Sequence, residues 1–109
     1  MKKLVLSAII ILSTIVACTP ESPRVQVQNN SSQVVDVALK PPSGSTININ
    51  DVSGGNKTSY IEVPSSNYEV DVNVENVTPS ATTHFRVDED GNYTIVVSNT
   101  TQPTISIRK

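Results

Sequence analysis

The stretch Tyr68-Glu69-Val70-Asp71-Val72-Asn73-Val74-Glu75 decides the fold. Its even positions are apolar and its odd positions carry acids or an amide. A strand sends successive side chains to opposite faces, so it sorts these residues cleanly. A helix at 3.6 residues per turn would scatter them around its axis.

The same period runs outward in both directions. Residues 24–28 present Val25 and Val27, residues 34–40 present Val35, Val37 and Leu39, and residues 46–50 present Ile47 and Ile49. Residues 59–63 present Ile61 and Val63, with Tyr60 on the opposite side. Residues 83–87 present Phe85 and Val87, residues 92–98 present Tyr93, Ile95 and Val97, and residues 104–108 present Ile105 and Ile107. Clusters rich in Asn, Ser, Gly and Pro separate these runs, among them Asn29-Asn30-Ser31-Ser32, Pro41-Pro42-Ser43-Gly44 and Ser53-Gly54-Gly55-Asn56. Short strands at this spacing predict an all-β fold of seven to eight strands. The first choice is an immunoglobulin-like antiparallel β-sandwich, and a small β-barrel is the alternative. The face carrying Val34, Asp36, Ala38 and Lys40 is the least polar and is expected to be partly covered.

Two local features refine this expectation. Asn67-Tyr68 and Asn92-Tyr93 each follow a turn and open an alternating run, an echo that suggests the two runs pair. Glu89-Asp90-Gly91-Asn92-Tyr93 has the form of a tyrosine corner, in which a Tyr hydroxyl bonds back to the backbone. Tyr93 is therefore assigned a structural role.

The N-terminus reads differently. Met1-Lys2-Lys3 is a positive start, and residues 4–17 are apolar apart from Ser7, Ser13 and Thr14. That run is short of the ~20 residues a membrane-spanning helix needs. It fits a signal peptide. Ile15-Val16-Ala17-Cys18 then resembles the lipobox of bacterial lipoproteins. The resemblance implies cleavage between Ala17 and Cys18, and a diacylglycerol on the Cys18 thiol, with the membrane as partner through that lipid. Thr19 stands where Asp would favour retention at the inner membrane, so the resemblance points to the outer membrane in a Gram-negative host. The expected organisation is a signal at 1–17, an acylated Cys and short tether at 18–23, and a β domain at 24–109.

Composition narrows the function. Of 109 residues, 8 are basic and 10 acidic. Removing Lys2 and Lys3 with the signal leaves 6 basic against 10 acidic side chains, a net of −4. An acidic domain without a basic cluster excludes nucleic acid as the expected partner. Cys18 is the only cysteine, so no disulfide can form within the chain.

With the strands placed, residues 24–107 resemble a family of small secreted bacterial immunoglobulin-like domains of unknown function. The matching pieces are Val25-Gln26-Val27-Gln28-Asn29-Asn30-Ser31, Val35-Asp36-Val37, Gly55, Ser59 with Tyr60, Val63-Pro64-Ser65-Ser66-Asn67-Tyr68 and Gly91-Asn92-Tyr93-Thr94-Ile95. Ser66 stands where the family has Gly. The resemblance implies the fold and brings no catalytic residues.

Candidate chemistry is sparse. Asp88, Asp90 and Asn92 surround Gly91, and as a weak metal site they would offer oxygens to calcium. The run lacks the distal Glu of a calcium loop and reads first as a hairpin turn. His84 is the only histidine and is expected on the surface. Glu69, Asp71 and Glu75 share a solvent face, where a glycosidase would need a facing carboxylate pair. Tyr60 is a weak candidate for partner contact. Lys40, Lys57, Arg108 and Lys109 are expected to protect strand edges. No catalytic residue, metal or cofactor is expected. The chain reads as a non-enzymatic envelope lipoprotein, a binding or structural module that could recruit an envelope protein by strand addition. An accessory subunit of a cell-surface or polysaccharide machine is one alternative. A lipoprotein that interferes with a surface receptor is another.

Overall fold

The computed structural model describes residues 21–99 and 101–109. The expected signal, with Ala17 and Cys18, lies outside the described residues. Among the described residues there are eight strands and no helix: β1 Arg24–Asn29, β2 Val35–Lys40, β3 Ile47–Val52, β4 Ile61–Glu62, β5 Ser66–Val74, β6 Ala81–Val87, β7 Asn92–Asn99 and β8 Pro103–Arg108. Each overlaps one of the alternating runs. One four-stranded sheet has the order β4-β1-β7-β8 and the other β3-β2-β5-β6. The two remain separate, which makes the fold an all-β sandwich and not a closed barrel.

The inner faces follow the alternation. Val35, Val37 and Leu39 lie opposite Val74, Val72 and Val70 in the β2–β5 pair, and all six are buried. Val25 and Val27 on β1 lie beside Tyr93 and Ile95 on β7. Valine dominates, and its β-branched side chain suits a half-buried pleated surface.

Four features depart from the expectation. The sandwich is not antiparallel throughout, because β1 runs parallel to β7 from Arg24–Asn92 to Asn29–Val97. The Asn-Tyr echo does not mark a pair: β5 and β7 belong to opposite sheets. β4 is short because its register slips. Ile61 pairs with Val25 and Lys57 bridges to Gln28, so four steps along this chain match three along β1. Such a bulge shortens the regular pairing. Lys40 does not guard an edge, since β2 is internal to its sheet. The β3 edge is instead blunted by a bulge, where Asp51 has φ 59° and its N–H bonds Asp36 Oδ1 at 2.8 Å. On the least polar outer face, Val34 and Ala38 are half-buried while Asp36 and Lys40 are exposed.

The inward position after Val25 and Val27 is occupied by a fully buried amide, Asn29. Its Nδ2 donates to the carbonyls of Gln33 at 2.7 Å and Val52 at 2.8 Å. Its Oδ1 accepts the Ser31 N–H at 2.9 Å and the Ser31 hydroxyl at 2.6 Å. The Asn29 backbone donates to Asn56 O and accepts from Gly55 N–H. One residue thus ties the end of β1 to the β1–β2 loop and to the end of β3 in the other sheet. Gly54 lets these loops meet: a Cβ there would come within 2.7 Å of the Ser32 backbone.

Asn29→Ala strips both amide donors and leaves two carbonyls unpaired, so it should lower stability by about 3 kcal/mol or more. Asn29→Asp should cost a comparable amount, because an acceptor-only carboxylate would face those carbonyls. Urea unfolding checks both, and a loss below about 1 kcal/mol in each would rule out this role for Asn29.

Candidate functional site

The acidic turn between Val87 and Asn92 is not a hairpin. Because β6 and β7 lie in different sheets, it carries the chain across one end of the sandwich. Its carboxylates are directed to separate tasks. Asp88 Oδ1 accepts Arg86 Nε at 2.9 Å. Asp90, with φ 61°, accepts the Glu21 N–H on Oδ1 at 2.7 Å, and its own N–H donates to Glu21 O at 3.2 Å. Asn92 is exposed at the start of β7. Among the described residues, no three His, Cys, Asp or Glu side chains gather as a metal would require.

Tyr93 closes this turn. Its hydroxyl accepts the Asp88 N–H at 3.0 Å, the back-bond of a tyrosine corner. The ring passes so close to Gly91 that a Cβ there would lie 2.6 Å from it. Tyr68 makes the equivalent bond in the other sheet, donating to Pro64 O at 2.6 Å. Phe85 sits between the two rings, with centroids 6.5 Å from Tyr68 and 5.7 Å from Tyr93. The echoed Asn-Tyr pairs therefore mark one corner in each sheet.

The remaining candidates are spread over the surface. On the outer face of the β2–β5–β6 sheet, the Lys40 ammonium is bonded to Asp71 and lies 3.9 Å from Glu69. Thr82 donates to Asp71 at 2.8 Å, and His84 Nε2 is 3.6 Å from Glu69 Oε1. Glu75 lies beyond the end of β5. Asp71 is thus bonded to Lys40 and Thr82 while Glu69 lies near Lys40 and His84, and the two carboxylates sit side by side on one strand face, not across a cleft. Lys40, Pro42, Glu69 and His84 border a depression of about 370 Å³.

Tyr60 is 45% exposed at the β4 edge, and Ile61 beside it is 37% exposed. Ile61 lies opposite the inward-facing Val25, but among the described residues no strand covers it from beyond the edge. Arg108 reaches across β7 to Gln28 Oε1 at 3.0 Å, and the Lys109 ammonium is 5.7 Å from the centre of the Tyr93 ring.

The residue that sequence reasoning missed at this end is Glu21. Its two bonds to Asp90 use backbone atoms, so its side chain carried no signal. The Asp90-Gly91 dipeptide was the available hint of a left-handed turn, since Asp tolerates that region better than most residues. Comparison with known protein families gives no match, and neither does comparison with curated proteins.

The Lys40–Asp71 pair makes a pH prediction. The hydrogen bond from Lys40, helped by Thr82, holds the Asp71 carboxyl below its ordinary value. The same bond and the charge of Asp71 hold the Lys40 ammonium above its ordinary value. The Asp71 contribution is complete above the unfolded carboxyl value near ~4 and is lost as pH falls through the lower folded one. The Lys40 contribution is complete below ~10.4 and is lost as pH rises through the raised folded value. Lys40→Met should flatten both limbs of the stability profile. Both groups reach solvent, so added salt should weaken the effect in the wild type. Urea midpoints measured across pH check this, and parallel profiles for the two proteins would refute it.

Proposed function

We propose that the chain is a bacterial envelope lipoprotein, a non-enzymatic binding or structural module held to the membrane through acylated Cys18. The observation that carries this reading is how soon after Cys18 the described residues are held by the domain. Pro23 is buried and Glu21 is already bonded to the domain, only three residues after the lipobox cysteine. A signal followed at once by a folded unit suits a processed lipoprotein, whose mature chain starts at the Cys.

The surface chemistry favours a scaffold. Several of its charged side chains are bound to one another or to backbone: Lys40 to Asp71, Arg86 to Asp88, and Asp90 to Glu21. A diacylglycerol gives the two or more chains that stable anchoring requires, where one would be marginal. Thr19 favours the outer membrane in a Gram-negative host. The net acidic domain points to an envelope protein as partner and away from nucleic acid.

Radioactive palmitate should label the full chain expressed in bacteria and leave Cys18→Ser unlabelled. Label retained in Cys18→Ser would overturn the lipoprotein reading.

A further inference from the structure

Six contacts fix the first described residues to one end of the sandwich. Glu21 and Asp90 exchange two hydrogen bonds. Arg24 N–H donates to Gly91 O at 2.9 Å, and Val63 N–H donates to Pro23 O at 3.0 Å. Arg24 also opens both the antiparallel pairing with Glu62 and the parallel pairing with Asn92. Residues 21–25 are therefore part of the folded unit and do not act as a loose linker.

We propose that this end of the sandwich, carrying Glu21, Pro64 and Asp90, rests on the lipid headgroups and holds the domain upright on the membrane. The inference rests on acylation of Cys18. Glu21 lies three residues along the chain from Cys18, a reach of at most ~11 Å. A tether that short keeps the bonded end against the bilayer that holds the lipid. The apolar surface agrees. Tyr60 and Ile61 are the large hydrophobic side chains most exposed among the described residues. Ile61 pairs with Val25, one step from the membrane end of β1, so both residues lie in the lower part of the domain. Tyr60 lies one further step up, close to the headgroups, a level at which amphipathic tyrosine rings are enriched.

The strand directions define the opposite end. β1 and β7 both run away from the tether, and nine-residue β5 spans roughly 30 Å at 3.3 Å per residue. The far end carries the loops gathered around Asn29 and the Ser53–Asn56 turn. It is left free to meet a partner at that height.

The chain contains no Trp, so one introduced Trp reports one position. Full-length protein, matured and acylated in bacterial membranes, would be reconstituted into phosphatidylcholine vesicles containing a nitroxide-headgroup phosphatidylcholine. Emission from Tyr60→Trp should be quenched several-fold more than emission from Ser53→Trp. Adding Asp90→Gly, which tolerates the positive φ but removes the carboxylate that holds the Glu21 N–H, should lower this ratio measurably while the Pro23 and Arg24 contacts preserve its direction. Equal quenching in vesicle-bound protein would overturn the proposed orientation. A ratio unchanged by Asp90→Gly would overturn the role of the Asp90 contact. Failure of the protein to float with the vesicles would instead overturn the acylation on which the inference rests.

Discussion

The structure depends first on a buried amide. Asn29 occupies an inward position on β1 where the alternation would place an aliphatic residue, and it has no solvent to bond. A buried amide is tolerated only when its donors and acceptors are matched. Here both Nδ2 hydrogens and the Oδ1 lone pairs are used, and the backbone N–H and C=O of the same residue are used as well. These bonds reach the β1–β2 loop, the end of β3 and the turn after it. They close one end of a two-sheet fold in a chain whose single cysteine can form no internal disulfide. A disulfide in this position would restrain the unfolded chain. The amide instead specifies one loop arrangement, because every other arrangement leaves buried polar groups unpaired.

The other end is closed by different chemistry. Two tyrosine corners, one per sheet, bond back to Pro64 O and Asp88 N–H, with Phe85 packed between them. Burial pushes the Tyr68 hydroxyl above its ordinary pKa, so it remains a donor over the physiological range. The turn that Tyr93 shapes is the one that holds Glu21. The corner thus links core packing to the point where the chain enters the domain. An acidic run that resembled part of a calcium loop serves as a fastening: Asp88 binds Arg86, and Asp90 binds the entering backbone.

All eight strands were legible because each has a period-two pattern, and Val70, Val72 and Val74 were placed inward from their spacing alone. Long-range partners were not legible. The parallel β1–β7 pairing joins segments almost 70 residues apart, and nothing in Val25-Gln26-Val27 specifies a neighbour or a direction. The same limit misled the reading of Asp88-Glu89-Asp90-Gly91 as a hairpin: turn chemistry reports a change of direction, not which sheet the next strand joins. Asn29 did leave a trace, since it continues the inward positions Val25 and Val27. It was hidden among Asn30, Ser31 and Ser32, which resemble an ordinary polar turn. The contact between Glu21 and Asp90 left less, because backbone atoms supply most of it.

Glu21 to Val25 belong to the folded unit, joined at one end through Asp90 while Asn29 closes the other. Amide hydrogen exchange resolved by residue tests this directly. The Glu21, Arg24 and Val63 amides should be protected from exchange, as should those of Asn29, Ser31 and Gly55. Exchange of Glu21 and Arg24 at the rate of an unstructured peptide, with β5 and β7 still protected, would contradict the account.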